Sequence, residues 1–295
     1  MGPVLVTGAG GFVGRHLRAE LGEAFVPFEG DVLDSAALAR AVRETRPAAV
    51  VHLAAESSVG NSWEDAPRTW TVNVVGTVNV LDTVRRERPE ARVLFPSTGE
   101  VYGRARRIPT PEGEPAAPVS PYAATKAAAE IACAQQARAG LDVVITRAFN
   151  HEGPGRDERF AVGSWTRQIA RLEAEGGGKL LVGDLSAERD LNDVRDVCRA
   201  YRLLLDPTIP AATYNVSSGS VVPMRRVVEL LSGLAQVPVE VEQDPSRLRP
   251  LDIPVLCGDS SLLREATGWA PEIPLEQTLA DALEAARQTE LERVP

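Results

Sequence analysis

The chain has 295 residues, 44% of them hydrophobic and 25% charged, which is enough to bury a full core in one large domain or two lobes and excludes a disordered or coiled-coil chain. A formal charge of -9 without any block of like charges argues against a nucleic-acid surface. Cys133, Cys198 and Cys257 form no C-x-x-C pair, His16, His52 and His151 lack zinc-site spacing, and no apolar run approaches the ~20 residues of a membrane span, so a cytoplasmic, soluble chain without a metal is expected.

Short β-branched runs alternate with helical patterns through the first half, the signal of a doubly wound parallel sheet. In chain order the pattern predicts a strand over Val4 to Thr7, a helix from Gly14 to Leu21, a strand over Phe25 to Phe28 and a helix over Ser35 to Glu44. A strand over Ala49 to Ala54, a helix over Asn73 to Arg86, a strand over Arg92 to Pro96, a helix over Tyr122 to Arg138 and a strand over Val143 to Arg147 follow. The bend between Gly103 and Pro118 reads equally as a lid or as a solvated loop. After Asn150 the texture becomes irregular and rich in Gly and Pro, as in an inserted lobe; a helix over Val194 to Leu205 and a strand over Thr213 to Val216 return to the sheet. The expected division is 1–150 with 188–217 as a dinucleotide-binding domain, and 151–187 with 218–295 as a smaller, C-terminal substrate lobe.

The first strand runs into Gly8-Ala9-Gly10-Gly11-Phe12-Val13-Gly14. Gly8 suits a tight turn, Gly11 lets the backbone approach a pyrophosphate, Gly14 lets the helix pack on the strand, and the helix amino terminus then faces the anion. Such a turn at the first strand-to-helix junction of an alternating chain predicts a Rossmann-type NAD or NADP site. Asp31-Val32 and Leu53-Ala54-Ala55 fall where this fold surrounds adenine and its ribose, although Asp31 also suits a plain turn. Glu29 is the candidate ribose-reading acid, no arginine adjoins it, and NAD and NADP are not distinguished.

Tyr122 and Lys126 form Y-x-x-x-K in a helical context, one turn apart on one face. With four tyrosines and two lysines in the chain, chance would produce that pair with expectation of only about 0.03. A phenol beside an ammonium that favours the phenolate is a usable acid or base near neutrality. Thr98, just after the fourth strand, offers a hydroxyl to the same substrate oxygen.

Taken together, T-G-x-x-G-x-x-G, H-L-A-A, S-T-x-E-V-Y-G and S-P-Y-A-A-T-K resemble the extended short-chain dehydrogenases/reductases over nearly the whole chain. Within that family, Arg147-Ala148-Phe149-Asn150-His151-Glu152-Gly153-Pro154-Gly155, Val182-Gly183-Asp184-Leu185, Glu188 to Val197 and Arg249-Pro250-Leu251-Asp252-Ile253-Pro254 are similar to GDP-sugar enzymes, most of all the GDP-4-dehydro-6-deoxy-D-mannose reductases. The resemblance implies a catalytic set of Thr98, Tyr122, Lys126 and Glu100. It implies that Asn73 and Phe149 join the cofactor set, and that Ser58, Thr98, Glu100, Asn150, Val182, Arg189, Arg249 and Asp252 line the substrate. It further implies reduction of a C4 ketone to GDP-D-rhamnose, and a homodimer built on the helices Asn73 to Arg86 and Tyr122 to Arg138. Glu100 keeps a GDP-mannose 4,6-dehydratase open, whereas Gly99 stands where glucose-type dehydratases carry an aspartate. Other nucleotide-sugar epimerases and decarboxylases share the triad, and a non-catalytic NAD(P) sensor is the reading from a different class.

Overall fold

Alternate residues of the first strand enter different cores: Val4 and Val6 pack on one face of a sheet and Leu5 on the other, so the strand is buried on both sides. The computed structural model describes residues 1–248 and 253–292, so Arg249 and Asp252 lie outside the described residues. β1 (Val4–Thr7), α1 (Phe12–Leu21), β2 (Phe25–Phe28), α2 (Ser35–Thr45) and β3 (Ala49–His52) lead into short helices α3 (Val59–Glu64) and α4 (Ala66–Trp70). A π-helical turn over Thr71–Val75 then joins α5 (Gly76–Glu87), followed by β4 (Arg92–Thr98), α6 (Pro121–Arg138) and β5 (Val143–Ala148). The second part holds β6 (Asn150–Glu152), α7 (Ala161–Glu175), β7 (Gly178–Val182), β8 (Glu188–Arg189), β9 (Leu191–Asp193), α8 (Val194–Leu204) and β10 (Thr213–Val216). It ends with β11 (Val222–Pro223), α9 (Met224–Leu234), β12 (Val239–Gln243), β13 (Val255–Leu256), α10 (Ser261–Thr267) and α11 (Leu275–Leu291).

Six of these strands form one parallel sheet in the order β10-β5-β4-β3-β1-β2. Leu17 and Leu21 of α1 pack with Val197, Tyr201 and Leu204 of α8 on one face, while α2, α5 and α6 cover the other. β1 has β2 on one side and β3 on the other, so the strand order reverses there, and a crevice opens beyond the carboxyl ends. The glycine turn stands at that reversal. The late strand β10 pairs in parallel with β5, as its sequence pattern predicts.

The departures from the predicted elements are local. The helix expected from Asn73 begins earlier, and Asn73 itself lies in the π-turn, an extra-residue bulge that re-aims a side chain. The 103–118 segment does not line the cleft described below. It is fastened by Ala117 N to Val101 O (2.9 Å) and Thr110 N to Cys257 O (2.9 Å). In the smaller lobe, Val162, Ile169, Leu180, Val227, Leu231, Leu279 and Leu283 form a separate core. Leu263 and Trp269, late in the chain, belong instead to the core under α1 and α8.

Candidate active site

Gly8 adopts φ 66°, and a Cβ there would stand 2.6 Å from Ala54 N, so the turn after β1 and the loop after β3 touch only because no side chain intervenes. A Cβ on Gly14 would stand 2.4 Å from Ala9 O, which ties the start of α1 to the same turn. Phe12 and Val13 open α1 on a cleft of about 1240 Å³ lined also by Gly8, Gly11, Gly14, Leu53, Ala54 and Ala55. Backbone N–H groups at a helix start attract an anion. Ser97 Oγ and Asn150 Oδ1, both on residues of the cleft, are buried without hydrogen-bond partners. Room, glycine backbone, helix terminus and orphaned polar atoms together fit a bound dinucleotide.

Thr98, Glu100, Tyr122, Lys126, Phe149, Asn150 and Arg189 line the same cleft. Ser120 caps α6 by accepting from Ala123 N at 3.1 Å, with Pro121 at the first turn, so Tyr122 emerges at the rim rather than deep in the helix. Ser62 of α3 accepts a hydrogen bond from Tyr122 N at 3.1 Å. Tyr122 and Thr98 line the cleft together, and the Thr98 hydroxyl acts on the phenol. Burial pushes its pKa up, the Glu100 carboxylate pushes the same way, and the Thr98 contact and the Arg156 cation pull it back. Lys126, which the sequence pairs with the phenol, is not among the groups that shift it. Lys126 Nζ donates to Pro96 O at 2.7 Å and sits 4.7 Å from the Phe95 ring centroid, so its charge is directed at β4. Burial lowers Lys126 to about 8, against the pull of Cys133 and Glu130. A phenol that keeps its proton is the state from which a proton donor starts.

Other residues singled out in the sequence make packing or capping contacts and are not among the residues that line the cleft. Asp31 accepts from Leu33 N at 2.9 Å as a turn former, and Val32 is buried against Gly76. Asn73 accepts from Glu56 N at 2.8 Å and donates to Glu56 O at 3.0 Å and Thr125 Oγ1 at 2.9 Å, so its amide is committed to the protein. Ser58 caps α3, and Val182 faces the small-lobe core, while its neighbours Gly183 and Asp184 line the cleft.

The structure also brings to the cleft His151 and Glu152, which stand in the 147–155 motif without a role assigned there, and Arg156, Arg159, Arg167 and Arg247, which have no recognisable spacing in the sequence. His151 stacks on Phe12 with ring centroids 6.2 Å apart, and burial lowers its pKa to about 4. Glu152, buried, faces Arg156 Nε at 3.4 Å; burial raises it to about 7 and Arg156 draws it back. Arg15 donates to Gly10 O and Gly155 O, Arg159 pairs with Asp157, Arg167 with Glu290, and Arg189 donates to the Glu188 and Ile253 carbonyls. Arg247 holds Asp244 and Ser164.

A family model described as GDP-mannose 4,6 dehydratase matches residues 18–282. The chain belongs to this family of extended short-chain dehydrogenases/reductases. It is 38% identical over 287 residues to a GDP-6-deoxy-D-mannose reductase of Pseudomonas aeruginosa, covering 94% of each chain. It is 29% identical over 294 residues to a GDP-mannose 4,6-dehydratase of Yersinia enterocolitica, covering 89% of this chain and 79% of the relative. The solved structure of RMD from Pseudomonas aeruginosa complexed with NADPH superposes with a TM-score of 0.90 at 36% identity, over 98% of this chain and 100% of that one. The members of this family are NAD(P)-dependent enzymes on a Rossmann-like parallel sheet with flanking helices, and the sequence reading of fold, cofactor class and enzyme class agrees with this.

Proposed function

We propose that this chain reduces the C4 ketone of a GDP-4-keto-6-deoxy sugar with NADH or NADPH and yields GDP-D-rhamnose. One observation carries the reading: a single cleft holds the glycine turn, the Thr98–Tyr122 pair, Lys126 and six described arginines, Arg15, Arg156, Arg159, Arg167, Arg189 and Arg247. The likeness to the Pseudomonas reductase supports the substrate. Guanidinium forks suit the phosphates of a nucleotide sugar.

When bound, the reduced dinucleotide supplies the hydride for C4. Tyr122, protonated, donates its proton to the O4 that forms, and Thr98 hydrogen-bonds the developing alkoxide. Gly8, Gly11, Phe12, Val13, Gly14, Leu53, Ala54, Ala55 and Phe149 hold the dinucleotide, with Lys126 on the nicotinamide ribose. Asn150, Glu100 and Arg189 hold the sugar nucleotide. Residues 1–150 with 188–217 serve the coenzyme, and 151–187 with 218–295 serve the substrate.

Glu100 favours a second reading, GDP-mannose 4,6-dehydratase, because its carboxylate acts on the Tyr122 phenol. Glucose-type dehydration is disfavoured at position 99, where a Cβ would meet the Phe149 ring at 2.8 Å and leave no room for an aspartate. The direct passage from β2 to α2, six residues long (29–34), lacks room for the cofactor-enclosing loop of a dehydratase, which must retain its coenzyme through a full cycle.

The discriminating experiment pairs GDP-4-dehydro-6-deoxy-D-mannose plus NADH or NADPH with GDP-mannose without reductant. Coenzyme oxidation in the first arm is expected. A 4-keto product in the second would make the chain a dehydratase, and silence in both, with coenzyme still bound, would point to another nucleotide sugar or to a sensor. Tyr122→Phe is expected to lower turnover about 10²–10⁴-fold and to leave coenzyme binding intact; full turnover in that variant would sink the assignment.

The three cysteines are free and buried, which supports a cytoplasmic location. Exposed Trp70, Val75, Val78 and Ile131 on α4, the π-turn, α5 and α6 support a homodimer through those helices.

A further inference from the structure

Five of the six described cleft arginines are held by neighbours through side-chain hydrogen bonds to carbonyl, hydroxyl or carboxylate oxygens. Arg156 differs. A guanidinium carries five N–H donors, and among the described residues none of those on Arg156 makes a hydrogen bond, although its side chain is only 12% exposed and its Nε is buried without a partner. The guanidinium carbon stands over two aromatic rings, 4.7 Å from the Phe12 centroid and 3.6 Å from the Phe160 centroid, contacts that hold the cation in place. Among the described residues its ion-pair contact is Glu152, at 3.4 Å and outside hydrogen-bond geometry, with Asp157 acting from further off, and Glu152 Oε2 is likewise buried without a hydrogen-bond partner.

A buried ion pair lacking hydrogen bonds does not recover the cost of desolvating its two charges. An oxyanion entering the cleft would satisfy donors that the protein leaves unused. Phe12 is the first residue of α1, where an anion meets the helix start, and Phe160 immediately precedes α7 of the smaller lobe. Arg156 therefore sits where a diphosphate of either the coenzyme or the sugar nucleotide would pass.

We infer that Arg156 is a positioning residue that grips an organic diphosphate in the cleft, with Glu152 as the counter-ion that the diphosphate displaces. This rests on the nucleotide reading of the cleft but not on the reaction performed there. Two charge changes then have opposite effects. Removing the grip weakens binding, and removing the competitor strengthens it.

The test titrates the full chain with NADH or NADPH, followed by nicotinamide fluorescence, and separately with GDP, followed by calorimetry. Arg156→Met, which keeps an apolar stem against the rings, is expected to weaken at least one of the two about ten-fold or more. Glu152→Gln is expected to tighten that same ligand several-fold, a gain that loss of a purely structural contact does not produce. The ligand affected identifies which diphosphate Arg156 holds. Should Arg156→Met fail to fold, the double variant Glu152→Gln/Arg156→Met removes both buried charges and must show the same weakening. Affinities within two-fold of the parent in the Met variants, or weaker binding in Glu152→Gln, would overturn the inference. Absence of ketosugar reduction with the affinity changes intact would overturn the proposed reaction alone; a parent chain that binds neither ligand would overturn the nucleotide reading and this inference with it.

Discussion

Glu152 couples the cleft to the stability of the whole chain. Burial raises its carboxyl from the ordinary 4.5 to about 7, so the folded state holds that proton more tightly than the unfolded state does. The stabilisation that the neutral acid provides is complete below about pH 4.5 and is lost as pH rises through about 7. Glu152→Gln, a permanent mimic of the neutral acid, should therefore match the parent near pH 4 and exceed it at pH 8 by an amount on the order of 3 kcal/mol. Urea melts at both values test this, and a difference independent of pH would reject it. The histidines work the other way: burial lowers His52 to about 3 and His151 to about 4, so the stability they contribute as neutral rings is present above 6.5 and lost as pH falls through those values.

At the scale of elements, the junction of β1 and α1 is both the most legible and the least tolerant part of the site. The glycine spacing announces it, and the close approach of Gly14 to Ala9 O shows why a side chain cannot enter. Gly14→Ala should displace the start of α1, cost on the order of 1–3 kcal/mol in a urea melt and weaken coenzyme binding measured by fluorescence; an unchanged melt and an unchanged affinity would show that the junction yields. Tyr122 and Lys126 were legible for the same reason, since helical periodicity alone brings them to one face. Arg156 and Phe160 were not. Their partner Phe12 lies far away in the chain, and only the folding of the β6–α7 loop onto α1, with His16 bound to Pro154 O at 2.9 Å, brings them together. The bonding of Asn73 was not legible for a related reason: the π-turn that sends its amide to the Glu56 backbone has no signature in hydrophobic spacing.

At the scale of the whole molecule, the helices that cover one face of the sheet leave apolar side chains pointing outward. Ile131 of α6 is 72% exposed and Val78 of α5 44%, with Trp70 and Val75 alongside on elements that pack against α6. Among the described residues, the alanines of α6 allow close helix approach, and an outward apolar patch of this kind favours association with a second copy. The parent chain should therefore run in light scattering at twice 31.6 kDa. Ile131→Glu combined with Val78→Arg should return it to 31.6 kDa with an unchanged circular dichroism spectrum, because neither side chain belongs to a buried core. Tyr122 and Lys126 lie on α6 itself, so loss of the partner is expected to loosen the helix that carries them and to lower turnover in proportion to the monomer fraction. A parent chain already at 31.6 kDa at micromolar concentration would leave that patch without the partner argued here.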